Sequence, residues 1–69
     1  MSAQKPAHIL KFFAYRHLPE DLQAISAEFY GLADALDKAL PECAEKSSGL
    51  RKLLEAKDCM VRAAMEGRN

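Results

Sequence analysis

From Leu22 onward the apolar residues fall at alternating spacings of three and four. Leu22, Ile25, Phe29, Leu32 and Leu36 continue to Ala39 or Leu40, a stripe along one side of an α-helix. Pro19 suits the first helical position, where a missing N–H costs nothing, and Glu20 and Asp21 complement the positive helix end. Pro41 stops the pattern. The prediction is an amphipathic helix over 19–40, about 33 Å long at ~1.5 Å per residue. A second stripe follows in Leu50, Leu53, Leu54, Met60, Val61 and Ala64, with Ala56 and Ala63 as small neighbours. It predicts a helix over 44–66, ended by Gly67. Gly49 weakens its first turns unless another backbone approaches there. Lys57 falls at the stripe's edge, where its stem can pack while its ammonium reaches out.

Before these helices, residues 1–18 hold the run Ile9-Leu10-Lys11-Phe12-Phe13-Ala14-Tyr15, too short for periodicity to decide. A short helix or an extended arm would both suit it. The link Pro41-Glu42-Cys43 is short, so the two long helices must fold back antiparallel. The expected fold is all-α: an N-terminal arm or short helix, then an antiparallel two-helix hairpin, in one domain over 1–69.

Size changes the picture. At 69 residues, with 49% hydrophobic residues and no Trp, the chain is rich enough in apolar groups to fold. A core this small stabilises by roughly 3–5 kcal/mol, so self-association into an oligomer is the expected remedy. No apolar run reaches the ~20 residues of a membrane span, and no signal-peptide pattern opens the chain. Cys43 and Cys59 are too few for a disulfide scaffold and fit no zinc spacing; they read as small apolar fillers in a reduced, cytosolic protein.

The formal net charge of +0 hides a segregation. Residues 1–19 carry Lys5, Lys11 and Arg16 with no acid, whereas 20–45 carry seven acids against Lys38. Residues 46–69 carry six bases against Glu55, Asp58 and Glu66. Such blocks favour packing an acidic segment against a basic one, within a chain or between chains. General DNA binding is disfavoured, because the acidic helix would repel phosphate.

Enzyme signatures are missing. There is no Gly-rich phosphate loop, no paired-His metal motif, and no Ser or Cys nucleophile motif with a base, so no catalytic role, metal or cofactor is expected. His8 and His17 read as surface or interface residues before general bases. Binding chemistry is better represented. Lys11, Phe13, Tyr15 and His17 alternate, so an extended arm would set them on one face. There Tyr and His could stack on a base while Lys meets phosphate. The plainer alternative is that Phe12, Phe13 and Tyr15 cover the open side of the hairpin. Arg51 and Arg62 share a face of the last helix and, with Lys52, Lys57 and Arg68, form a second basic set. Its plainer reading is a solvated face, with Asp58–Arg62 an i,i+4 pair.

The order of these residues resembles a known family. Phe13-Ala14-Tyr15-Arg16-His17-Leu18-Pro19, then Leu32-Ala33, the Pro41 turn, Glu45-Lys46-Ser47, Leu50 through Leu53 and Glu55-Ala56 are similar to the small phage anti-CBASS cyclic-nucleotide sponges and to the hairpin domain of anti-Thoeris sponges. The resemblance covers about residues 12–66. It implies three-helix protomers assembled as homohexamers in the host cytoplasm. They bind cyclic di- and trinucleotide immune signals between protomers and sequester them uncleaved, a form of immune evasion. The family's base-stacking arm aromatic matches Tyr15. Its basic partner falls at Tyr30, so charge there must come from Lys11, Arg16 or His17. Its trinucleotide pockets use basic residues near the end of the last helix, matching Arg62 first and Arg68 second.

Overall fold

The computed structural model describes residues 8–67. A 3-10 helix, His8–Phe13, precedes two α-helices, α1 (Glu20–Ala39) and α2 (Ala44–Glu66), and no strand occurs among the described residues. The two helices pack along their length as a hairpin, and the 3-10 helix lies across both. The arm is therefore a short helix and not an extended strand. Pro19 stands just outside α1 as its N-cap, its carbonyl accepting from the N–H groups of Leu22 and Gln23 at 2.9 Å each. Gly67 closes α2 in right-handed geometry, without the left-handed turn for which glycine is usually chosen.

The fully buried seam between the helices takes only Leu22 and Leu50 from the leucines of the two apolar stripes. On α1 it consists of Leu22, Ser26, Ala33 and Asp37, all buried. On α2 it consists of Lys46, Leu50 and Lys57. Asp37 and Lys46, Ala33 and Leu50, and Ser26 and Lys57 are buried residues at matching distances from the turn. Small side chains at the seam let the axes approach. Leu32, Leu36 and Leu40 are consequently rotated away and stay 49%, 38% and 44% exposed. The seam also buries the Ser26 hydroxyl without a hydrogen-bond partner.

The core is built where the third element arrives. Leu10 and Phe13 of the 3-10 helix pack with Ala33 and Leu50, flanked by Ile9, Phe29, Tyr30, Leu53 and Leu54. Phe13 is wholly buried; burying such a side chain is worth about 1.5–3 kcal/mol, a large share in so small a protein. Neither cysteine fills the core, since both Cys43 and Cys59 are exposed free thiols.

At the turn, Lys46 reaches back across the hairpin. Its ammonium lies 2.8 Å from Asp37 Oδ1, both side chains only 4% exposed. It donates to the carbonyls of Asp37 at 2.9 Å and Leu40 at 3.2 Å, and to the carboxylate of Glu42. One cation thereby satisfies carbonyls that the end of α1 leaves unpaired and complements the negative end of its dipole.

The hydrogen bond to Asp37, then that to Glu42, holds the Lys46 ammonium above its usual value of 10.5, with burial opposing. A pKa raised on folding contributes stability that is complete below the unfolded value and fades as pH climbs through the folded one. Urea midpoints measured across the alkaline range are expected to fall above pH ~10.5. Lys46→Met is expected to be less stable at neutral pH and to lose that alkaline component. An unchanged alkaline slope in the variant would contradict the assignment.

Candidate functional site

After Phe13 the chain turns sharply. The Ala14 N–H donates to the Lys11 carbonyl at 3.3 Å and the Leu18 N–H to the Tyr15 carbonyl at 3.0 Å. Gln23, in the first turn of α1, then holds this loop from outside. Its side-chain amide donates to the carbonyl of Leu18 at 2.8 Å and lies 3.4 Å from that of Arg16. With Phe13 sunk in the core on one side and Gln23 gripping the other, Tyr15 is directed against α1.

There it meets Tyr30. The two ring centroids are 5.9 Å apart with planes inclined at 58°, within the range of favourable aromatic pairs. The Arg16 guanidinium lies over the Tyr15 ring, 5.6 Å from its centroid. Ala14, Tyr15, Arg16, His17 and Tyr30 line a cleft of about 280 Å³. Tyr15 and Tyr30 are half-buried, while Arg16 and His17 are exposed. Among the described residues no carboxylate pairs with Arg16, so its charge is available to a ligand. Chemically the cleft offers two phenol rings, a free guanidinium and an imidazole. That set suits a flat, electron-poor ring bearing a nearby anionic group.

Four of the expected binding residues thus come together: Tyr15, Arg16, His17 and Tyr30. The others do not join them. Phe13 is buried, because the 3-10 geometry turns it into the core where an extended arm would have presented it beside Tyr15. Lys11 lies with its ammonium 5.3 Å from the centroid of Phe12 and does not line the cleft. Arg62 sits near the far end of α2, where its guanidinium donates to the Cys59 sulfur at 3.4 Å. The Asp58–Arg62 pair does not form; Asp58 pairs with Lys57 at 2.9 Å instead. Arg68 lies outside the described residues. Periodicity could not reveal Gln23 as the loop's anchor, because its role depends on side-chain length and on where the loop passes.

Elsewhere, no three His, Cys, Asp or Glu side chains converge to hold a metal ion among the described residues. No described helix is long and apolar enough to cross a membrane. No family model, characterised protein or solved structure matches the chain.

The Tyr15–Tyr30 contact has a direct readout. Ring protons of Tyr15 in the NMR spectrum should be displaced by the neighbouring ring. Tyr30→Leu should return them toward free-tyrosine positions while the α1 amide resonances persist. Unmoved Tyr15 signals would mean that the rings do not touch in solution.

Proposed function

We propose that this protein binds and sequesters cyclic oligonucleotide signals, as a phage-encoded sponge that blocks CBASS-type immunity without cleaving its ligand. The observation that carries the reading is the cleft in which Tyr15 and Tyr30 stand beside an unpaired Arg16. The sequence resemblance independently brings Tyr15 forward as the base-stacking residue. In this reading Tyr15 stacks on a base, Arg16 meets the adjacent phosphate and His17 flanks it. Tyr30 stands where the resembling family carries a base, so the cation comes from the arm and not from α1.

Magnitudes make assembly part of the proposal. Useful sequestration calls for nanomolar affinity, about −12 kcal/mol, whereas each stacked base contributes roughly 1–3 kcal/mol. A single cleft has room for one nucleoside-sized group, so a cyclic dinucleotide would bridge clefts of different protomers. Charge-assisted hydrogen bonds from several copies would add the remainder. The homohexamer implied by the resemblance would supply them, with Arg62 and Arg68 as candidates for a separate trinucleotide site. A second reading is a helical oligomerisation or adaptor protein without a nucleotide ligand, favoured by the exposed leucines of α1.

Calorimetric titration with a panel of cyclic di- and trinucleotides separates the two. Sequestration predicts tight binding at less than one ligand per chain, loss of at least tenfold in affinity for Tyr15→Ala, and intact nucleotide released on heating. No binding across the panel by a folded, assembled protein would leave the adaptor reading. Recovery of cleaved nucleotide would exclude a sponge.

A further inference from the structure

The cleft has room for a nucleoside, yet its stacking ring is already engaged. Tyr30 stands on the α1 side of Tyr15 at a centroid distance of 5.9 Å, and the Arg16 guanidinium lies over the Tyr15 ring at 5.6 Å. A planar base needs about 3.5 Å to each neighbour, so roughly 7 Å between the two groups that sandwich it. Neither gap provides it. A base therefore fits into either gap only after one neighbour has moved.

Which neighbour moves follows from what holds each. Tyr30 belongs to the middle of α1, is half-buried and packs against the core of Leu10, Phe13, Ala33 and Leu50. Arg16 lies in the loop, is exposed, and forms no ion pair among the described residues. Its hold on the ring is a cation–π contact, which at an exposed site amounts to about a two- to fivefold preference. Gln23 meets the Arg16 carbonyl and not its side chain, so the guanidinium can swing out while the loop stays in place.

The swing has opposite consequences for two kinds of ligand. A base with a phosphate beside it gives the displaced guanidinium an anion to meet, and that charge-assisted contact outweighs the lost ring contact. A base without a phosphate only pushes the cation into water. We propose that Arg16 is a specificity-determining latch, covering the Tyr15 ring against uncharged flat molecules and yielding it to a base that carries a phosphate. The cleft thereby discriminates nucleotides from free nucleosides. The inference rests on the nucleotide reading of the cleft and adds what that cleft excludes.

NMR titrations of the wild type and of Arg16→Ala with adenosine and with adenosine 5′-monophosphate, read at the Tyr15 ring protons, test it. The two probes share a base, differ in the phosphate, and are each small enough for a single cleft. In the free wild type the Arg16 δ-methylene protons should lie upfield of their usual position, under the Tyr15 ring current, and should move back when the monophosphate binds. The wild type should bind the monophosphate about tenfold or more tightly than adenosine. Arg16→Ala should bind adenosine about two- to fivefold more tightly than the wild type does, and the monophosphate roughly fivefold or more weakly. Because Arg16 is exposed, helicity by circular dichroism should be unchanged in the variant. A merely structural role for Arg16 would move both affinities in the same direction. Adenosine binding that is unchanged or weaker in Arg16→Ala, or Arg16 protons at ordinary positions in the free protein, would overturn the latch while leaving Tyr15 as the stacking residue. If neither probe shifted Tyr15 in either protein, the latch and the nucleotide reading would fall together.

Discussion

The position of one buried ammonium organises this small protein. Lys46 leaves the first turn of α2, crosses the link and ends between the Asp37 carboxylate and the last carbonyls of α1. Taking such a charge from water is costly unless every proton finds an acceptor, and here acceptors come from side chain and backbone together. That requirement fixes the register of the hairpin. Once Asp37 stands opposite Lys46, Ala33 stands opposite Leu50, and the platform for Phe13 follows. Moving one helix by a turn would strand the ammonium.

The seam that results divides α1 into functional sides. Its narrowest line, with Ser26, Ala33 and Asp37, serves the hairpin. Tyr30 lies on the side toward the arm and meets Tyr15. Leu32, Leu36 and Leu40 lie on the remaining side and stay largely uncovered. A 69-residue chain has too little apolar material to cover all of these surfaces. Two of its buried apolar anchors, Phe13 and Leu10, hold the arm. The arm, held there, presents its following loop as one wall of the cleft. The shape of the cleft thus depends on packing at the core, and the uncovered leucines of α1 are what the same packing leaves over.

Much of the fold was legible in the residue pattern, for physical reasons. Prolines 19 and 41 and the three-and-four spacing locate α1 to within a residue at each end, because chain stereochemistry alone enforces those limits. The same periodicity cannot say which apolar side faces inward. That was settled by small and polar seam residues, which hydrophobicity does not single out. The arm was ambiguous because its apolar run is shorter than two turns. Its helical geometry is what moved Phe13 from the expected binding face into the core. Tyr15, Arg16, His17 and Tyr30 were legible as aromatic and basic residues, but their convergence depends on Gln23 and on the loop it grips. Arg62 lies near the far end of α2, away from the cleft, where the resemblance sets a separate site and not the arm's.

The proposed nucleotide reading rests on the cleft formed by Tyr15, Arg16, His17 and Tyr30. The claim that joins these features is that the cleft, and not another surface, receives the nucleotide. Chemical-shift mapping of the isotope-labelled protein with the tightest cyclic dinucleotide of the panel tests it most directly. The account predicts that the largest perturbations fall on Tyr15, Arg16, His17 and Tyr30, with Gln23 responding as the loop's anchor. Perturbations centred on Arg51 or Arg62 that leave Tyr15 and Tyr30 unmoved would contradict it.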